Sequence, residues 1–263
     1  MTANLRVTMI QADLAWQDSE SNRHALATRF RGLQGHTDVI VLPEMFTTGF
    51  SMNAEALAET MDGPTVGWLR EEAAATGCVI TGSMIIRDDG GRHYNRLLWA
   101  TPAGDLAHYD KRHLFRMAGE QKHYAAGERR LIVEWKGWRL CPMVCYDLRF
   151  PVWSRNRGDY DVLVYVANWP ARRRVAWCAL LKARAIENLC YVVGVNRVGR
   201  DGNGATYTGD SAAVDFLGKV LGGDRGGDFA ETVVLDREAL QLWRRDFPAH
   251  LDADAFELGP APR

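Results

Sequence analysis

The chain has 263 residues, of which 47% are hydrophobic, and a chain of this size can bury roughly three quarters of its extended surface in one domain. Its formal net charge of −1 excludes a global attraction to nucleic acid or anionic lipid. No segment approaches the roughly 18 continuous apolar residues of a membrane span, and no linker-like tract divides the chain. We therefore predict a single domain over residues 1–263, located in the cytoplasm, with neither nucleic acid nor membrane as a partner.

The cysteines do not form a disulfide framework. Their number is odd and their spacing irregular, in a chain large enough to be stable without cross-links. We therefore predict reduced thiols at all of them: Cys78, Cys141, Cys145, Cys178 and Cys190.

Short apolar runs alternate with helical patterns along the chain. The runs LRVTMIQADL and DVIVLPE predict strands that flank an amphipathic helix over residues 21–33. A helix over 66–76 precedes a hairpin made by CVITGSMII and YNRLLWATP, with its turn at 89–91. RLIVEW, WRLCPMVC, DVLVYVANW and CYVVGVNRVG predict further strands, with helices at about 152–157 and 173–188. SAAVDFLGKVL and ETVVLD predict hairpin-like strands, so the whole pattern indicates a layered α/β fold with a partly antiparallel sheet.

Three reactive side chains follow predicted strands. Glu44 follows DVIVLP, Lys111 follows GDLAHYD, and Cys145 follows LCPMV. Taken singly, each has an ordinary structural interpretation as a loop carboxylate, an exposed ammonium or a small buried thiol. In layered α/β folds, however, the loops leaving the strand ends meet in one crevice, where sites tend to be built. We therefore interpret the three residues together as a catalytic constellation.

The chemistry of this constellation follows from the thiol. A cysteine with an ordinary pKa of about 8.5 is mostly protonated at neutral pH and needs a base or a positive charge to become a nucleophile. Glu44 could take the proton, while Lys111 and the backbone N–H of Tyr146 could stabilise the anion that forms when a carbonyl or nitrile carbon is attacked. Pro151 suits the first turn of a helix, which would place Cys145 near a helix N-terminus.

Three motifs, LPEMFTTGF, YDKRHLF and CYDLRFP, resemble the glutamate, lysine and cysteine motifs of the nitrilase superfamily of carbon–nitrogen hydrolases. The likeness runs from VTMIQADL through ARAIENLCYVVGVNRVG to YTGDSAAVDFLG. It is closer to the omega-amidase branch, which removes ammonia from the side-chain amide of 2-oxo dicarboxylic acid monoamides such as 2-oxoglutaramate and 2-oxosuccinamate. The resemblance implies a four-layer α-β-β-α sandwich, a homodimer or larger homo-oligomer, and a small-molecule amide as substrate. We predict no cofactor and no metal.

The resemblance also implies a role for each motif residue. Glu44 would be the general base, Lys111 the oxyanion donor, and Cys145 the nucleophile that forms a thioester. Family members carry a second acid after the lysine motif, and Glu120 in HLFRMAGEQKHY stands at the matching position. Glu120 would orient Lys111 and the hydrolytic water.

Consecutive arginines open the predicted helix after YVANWP, namely Arg172, Arg173 and Arg174. Cations oppose the helix dipole at this end. Simple exposure to water is one interpretation, and an anion held by the dipole and a guanidinium is the other. Because an omega-amidase substrate carries a carboxylate opposite its amide, we predict that Arg173, or a neighbour in the triplet, binds it.

Aromatic residues near the catalytic groups could wall the substrate pocket, although each could equally belong to the core or to an interface. Trp169 is the preferred choice because it adjoins the strand end at Asn168, and the others are Phe46, Phe115 and Tyr124. Arg149 is predicted to form an ion pair with Asp147 or a neighbouring acid, with substrate contact as the alternative.

Other functions fit parts of the sequence. A zinc site could use His108, His113 and His123 with Cys141 and Cys145, but the pattern has no second paired ligand set. A nitrilase, or another amidase such as a carbamoyl hydrolase, would begin with the same thiol attack. Acyltransferases of the family typically carry membrane segments, for which this sequence gives no signal. A binding module that kept the fold without the reaction is the most distant alternative.

Overall fold

The computed structural model describes residues 4–223 and 225–259. Within them, the helices are α1 (Ser19–Phe30), α2 (Ala54–Leu57), α3 (Pro64–Thr76), α4 (Pro151–Ser154), α5 (Arg174–Asn188) and α6 (Arg237–Asp246). The strands are β1 (Leu5–Gln11), β2 (Val39–Val41), β3 (Val79–Arg87), β4 (His93–Ala100), β5 (Leu106–Asp110), β6 (Val133–Trp135), β7 (Trp138–Val144), β8 (Val162–Ala167), β9 (Tyr191–Asn196), β10 (Val198–Arg200), β11 (Thr206–Thr208), β12 (Ala212–Val214), β13 (Val220–Gly223) and β14 (Phe229–Leu235).

The strands form two mixed sheets and a small hairpin. The first sheet has the order β14-β1-β2-β3-β4-β5 and the second β13-β12-β9-β8-β7-β6, while β10 and β11 pair separately. β1, β2 and β3 run parallel, as do β7, β8 and β9, and antiparallel strands flank each trio. The carboxyl ends of both parallel trios are therefore available to build a site.

Alternating side chains divide the core into layers. One face of the first sheet packs against α1 and α3 through apolar side chains that include Ile10, Ile40, Ile80 and Leu98. The alternate residues, including Val7, Val39, Val79 and Leu97, pack with side chains of the second sheet. In β9, Gly194 leaves room for Leu181 and Trp177 of α5, whose atoms would lie within 3.0 Å of a Cβ there. The architecture is the predicted four-layer α-β-β-α sandwich, so that prediction is confirmed.

Several predicted boundaries change. The predicted helix over 152–157 is shorter, because the backbone leaves the helical conformation at Arg155, and a 3-10 turn (Cys145–Arg149) precedes α4. The run ETVVLD becomes β14, which pairs with β1 in the first sheet, so its predicted hairpin partner was wrong. Hydrophobic periodicity identifies a strand but does not determine which of two sheets the strand joins. CYVVGVNRVG divides into β9 and β10, and α6 was not predicted.

The described helices are short relative to a bilayer. None of those in residues 4–223 and 225–259 is long and apolar enough to cross a membrane.

Candidate active site

Side chains from four chain segments meet at one end of the two sheets. Lys111, directly after β5, donates from Nζ to Glu44 Oε1 at 2.9 Å and to both carboxylate oxygens of Glu120 at 3.0 Å. Cys145, directly after β7, lies beside Glu44, whose carboxylate contributes to raising the pKa of the thiol. The structure therefore brings together the four residues that the motifs select. After the roles predicted from the sequence, we call Glu44, Lys111, Glu120 and Cys145 the catalytic cluster, and the sulfur of Cys145 the active-site thiol.

The backbone at Cys145 is strained. Its φ is +46°, in the left-handed region that side-chain-bearing residues seldom adopt. The residue opens the nucleophile turn (Cys145–Arg149), and Pro151 stands in the first turn of α4, as predicted. This sharp change of direction ends β7 and leaves the thiol beside Glu44 and Lys111.

Asp147 holds the nucleophile turn in place. Its carboxylate accepts hydrogen bonds from Tyr109 Oη at 2.7 Å, from the backbone N–H of Val144 at 3.0 Å and from the backbone N–H of His113 at 3.0 Å. It also contacts His113 Nδ1 at 2.8 Å. Because residues 109 and 113 bracket Lys111, this one carboxylate fixes the lysine segment relative to the cysteine. The predicted pairing of Arg149 with Asp147 is therefore wrong.

Burial and neighbouring charges act in opposite directions on the pKa values of the cluster residues. Burial alone would lower the pKa of Lys111, but the carboxylates of Glu120 and Glu44 outweigh burial and raise it above its ordinary value. Burial raises the pKa of Glu120 in spite of the opposing charge of Lys111. Burial and the Glu44 carboxylate raise the pKa of Cys145 well above that of a free thiol. Both effects favour the neutral form of the thiol.

Two asparagines that the sequence reasoning missed hold the acids. Asn95 donates from Nδ2 to Glu44 Oε1 at 2.7 Å and to Glu120 Oε1 at 3.4 Å. Asn168 donates from its backbone N–H to Glu44 Oε2 at 2.8 Å and from Nδ2 to the Glu44 carbonyl at 2.5 Å. Asn168 ends a predicted strand and could have been selected on that ground, whereas Asn95 lies inside β4, where nothing in the sequence marks it.

A cavity of about 180 Å³ opens beside the catalytic cluster. Lys111, Cys145 and Tyr146 form one part of its wall, and Phe115 and Trp169 are among the predicted residues that line it. Aromatic side chains from other segments, Phe50 and Tyr207, complete the apolar wall. The volume fits a small linear molecule.

Guanidinium groups line the cavity as well, from Arg149, Arg172 and Arg173; we call these three the arginine end of the cavity. Arg173 lies over the Phe115 ring at 4.9 Å and Arg149 over the Trp169 ring at 5.0 Å. Burial and the neighbouring charges of Arg172 and Arg149 lower the pKa of Arg173. Its Nη1 is buried and has no hydrogen-bond partner in the described chain, while its Nη2 contacts the sulfur of Met117 at 2.7 Å.

The third arginine of the triplet points elsewhere. Arg174 binds the Asp210 carboxylate with two contacts, at 2.8 and 2.7 Å. Of the alternatives that the sequence left open, the structure therefore places Arg172 and Arg173 at the cavity and Arg174 outside its lining.

Two predicted wall residues do not line the cavity. Phe46 is fully buried in the core, 6.1 Å from the Trp68 ring and against Gly82. Tyr124 donates its hydroxyl to the Ser51 carbonyl at 2.5 Å and packs in a separate apolar cluster. The prediction that Phe46 and Tyr124 line the substrate pocket was wrong, because both side chains pack in the protein interior.

The residues proposed for zinc are dispersed. His113 is bound to Asp147 and stacks on Phe150 at 3.8 Å, Cys141 is buried in β7, and His108 and His123 are exposed. No group of three potential ligands gathers among the residues that the structure describes.

Comparison with known proteins agrees with this geometry. The family model described as "Carbon-nitrogen hydrolase" matches residues 6–245. Omega-amidase YafV of Escherichia coli (strain K12) is 48% identical over 258 residues, which cover 97% of this chain and 98% of the relative. The 2-oxoglutaramate amidase of Bacillus subtilis (strain 168) is 32% identical over 220 residues, which cover 82% and 84% of the two chains.

A solved structure has the same fold at high similarity. The crystal structure of XC1258 from Xanthomonas campestris, a CN-hydrolase superfamily protein with an arsenic adduct in its active site, superposes with a TM-score of 0.96. It is 51% identical, and the match covers 98% of this chain and 100% of the other. The chain therefore belongs to the carbon–nitrogen hydrolase family of the nitrilase superfamily and is a hydrolase of carbon–nitrogen bonds.

Proposed function

We propose that this protein is an omega-amidase, which hydrolyses the terminal amide of 2-oxo dicarboxylic acid monoamides such as 2-oxoglutaramate and 2-oxosuccinamate. The products are the 2-oxo dicarboxylic acid and ammonia. The observation that carries the proposal is a small cavity with the active-site thiol at one part of its wall and the arginine end at another. The omega-amidase and the 2-oxoglutaramate amidase among the relatives support the same substrate class.

Acylation begins with proton transfer. Glu44, which lies beside the thiol, takes the proton of Cys145 as the sulfur attacks the amide carbonyl carbon. The carbonyl oxygen becomes an anion, stabilised by the ammonium of Lys111 and the backbone N–H of Tyr146. Glu44 then returns the proton to the nitrogen, the C–N bond breaks, ammonia leaves, and the acyl group remains on Cys145 as a thioester.

Deacylation uses Glu44 in the same order, first as a base and then as an acid. Glu44 takes a proton from a water molecule, the resulting hydroxide attacks the thioester carbon, and the proton passes to the departing sulfur of Cys145. Glu120 orients Lys111 through its two contacts at 3.0 Å and helps to position the water. One amide and one water are consumed, and one acid and one ammonia are released.

The arginine end selects the substrate. Arg173 presents a buried, unpartnered Nη1 beside Arg172 and Arg149, whose positive charges repel one another until an anion enters. A carboxylate there satisfies the unpartnered N–H and relieves the repulsion. Phe115 and Trp169 wall the short methylene chain that joins this carboxylate to the amide.

The test is ammonia release from a panel of substrates. Initial rates are measured with 2-oxoglutaramate, 2-oxosuccinamate, glutamine, an N-carbamoyl amino acid and a simple aliphatic nitrile, with Cys145→Ala as the blank. We expect the 2-oxo acid monoamides to give the highest kcat/KM. A preference for the nitrile or the carbamoyl compound would instead assign the protein to another branch of the family.

We further propose that one domain spanning residues 1–263 forms a homodimer or larger homo-oligomer in the cytoplasm. The family resemblance supports association, and an interface could cover exposed apolar side chains on α4 and α5, where Val152, Val175 and Ile186 are 53%, 82% and 50% exposed. Light scattering after size-exclusion chromatography tests the assembly. A monomer at micromolar concentration would contradict it.

A further inference from the structure

One buried oxygen atom in the active-site cavity lacks a partner. Asn168 Oδ1 makes no hydrogen bond within the described chain, although the residue is only 4% exposed. Asn168 follows β8 directly and lines the same cavity as Cys145 and Lys111. Buried polar atoms are nearly always hydrogen-bonded, so an unpaired acceptor in a substrate cavity indicates a donor on the ligand.

The orientation of this amide is determined by its other end. Asn168 Nδ2 donates to the backbone carbonyl of Glu44 at 2.5 Å. Turning the amide over would set its oxygen against that carbonyl, so that two acceptors would face each other. The backbone N–H of Asn168 also donates to Glu44 Oε2 at 2.8 Å. The oxygen is therefore left as the unused atom at a fixed place beside the general base.

We propose that Asn168 Oδ1 accepts a hydrogen bond from an N–H of the substrate's terminal amide and thereby selects amides over nitriles and esters. This inference rests on the proposed amidase function. The amide nitrogen gains the proton that Glu44 took from the thiol, and it becomes a stronger donor before the C–N bond breaks. An ester or a nitrile offers no N–H at this position and leaves the buried oxygen unpaired.

Asn95 provides a matched control. Its Nδ2 also donates to Glu44, at 2.7 Å, and its Oδ1 is also buried without a partner in the described chain. Asn95, however, is not among the residues that line the cavity. Both asparagines therefore support the general base, but Asn168 alone of the two also lines the cavity.

The experiment compares an amide with the methyl ester of the same acid. Both substrates give the same thioester, so the ratio of their kcat/KM values isolates the effect of the leaving group. The ratio is measured for the wild type, Asn168→Leu and Asn95→Leu. The acyl group is the one whose amide the wild type hydrolyses fastest, so a failure with 2-oxo acid monoamides would count against the proposed substrate and leave this ratio measurable.

We expect Asn168→Leu to lower the amide-to-ester ratio by about tenfold or more. Asn95→Leu should slow both substrates and leave the ratio within about twofold of wild type, since its contribution acts through Glu44. If Asn168→Leu fails to fold, Asn168→Ala gives the same comparison. An unchanged ratio in the folded Asn168 variant, or an equal fall in Asn95→Leu, would refute the role of the oxygen as an amide receptor.

Discussion

Replacing Lys111 by methionine should destabilise the protein strongly. The side chains of Lys111, Glu44 and Glu120 have no exposed surface. The Lys111 ammonium lies 2.9 Å from Glu44 and 3.0 Å from Glu120. Methionine has a similar length but no charge, so Lys111→Met leaves two buried carboxylates with no counter-ion. Burial already raises the pKa of Glu120 in the presence of Lys111. Loss of the Lys111 charge therefore destabilises the ionised form of Glu120 further.

The magnitude follows from the cost of breaking a buried ion pair, about 3–5 kcal/mol. For a chain of this size, each kcal/mol lowers the melting temperature by about 2–4 °C, so the expected decrease is roughly 6–20 °C. The double variant Lys111→Met/Glu120→Gln removes one of the two uncompensated charges and should recover a substantial part of that loss. Glu120→Gln alone keeps the pair between Lys111 and Glu44 and should cost less.

Differential scanning calorimetry of the four proteins measures these effects, and pH supplies a second readout. In Lys111→Met the folded-state pKa of Glu120, already raised by burial, rises further, so stability is regained as pH falls and is lost as pH rises. The difference in melting temperature from wild type should therefore shrink between about pH 8 and about pH 5. A variant that melts within about 2 °C of wild type at pH 8 would refute the buried ion pairs as the source of stability.

Three further changes test the site. Glu44→Gln removes the base that we propose takes the proton of the active-site thiol, so ammonia release should be lost and iodoacetamide should label that thiol more slowly at neutral pH; faster labelling, read by mass spectrometry, would contradict the role of Glu44 as the base. Arg173→Gln should raise KM at least about tenfold for an anionic monoamide, but not for a neutral amide, and Arg174→Gln, outside the cavity lining, should change neither. Gly127→Ala would place a Cβ 2.0 Å from the carbonyl oxygen of the residue before Lys111, which should lower the stability by about 1–3 kcal/mol or more. Gly67→Ala, with no atom within 4 Å of its Cβ, should not destabilise the protein. Equal melting temperatures for the two glycine variants would be inconsistent with crowding at residue 127.

The sequence predicted the layers and the motif residues because both depend on local signals. Buried runs such as VLVYVA, which becomes β8, need no long-range information to be identified as strands. Glu44, Lys111 and Cys145 follow their strands directly or within three residues. The assignment to the carbon–nitrogen hydrolases is confirmed by the family match over residues 6–245.

The errors arose where a turn decides which way a side chain points. In EMFTTGF, the N–H groups of Thr48 and Gly49 donate to the carbonyl of Met45, which itself has a φ of +42°. This turn directs Phe46 into the core and brings Phe50 round to the cavity. Both aromatic residues belong to one motif, and residue type alone does not distinguish them.

Arg149 illustrates the same difficulty. Adjacent opposite charges suggested an ion pair with Asp147, but residues two apart on a helical turn do not face each other. Asp147 is turned inward to Tyr109 and His113, and Arg149 faces the cavity. Helical geometry in the nucleophile turn was the missing information, since an extended chain would have put both side chains on the same side.

Charge conservation explains why the thiol can stay protonated and still be a nucleophile. In the ion pair between Lys111 and Glu44, an ammonium and a carboxylate balance each other beside the neutral thiol of Cys145. Ionising the thiol to bulk water would add a negative charge to this buried region, which is costly. If Glu44 takes the proton during attack, its charge moves instead to the substrate oxyanion beside Lys111, and the net charge is unchanged. A raised thiol pKa is therefore compatible with fast chemistry, because the enzyme never has to create a buried charge that is not already there.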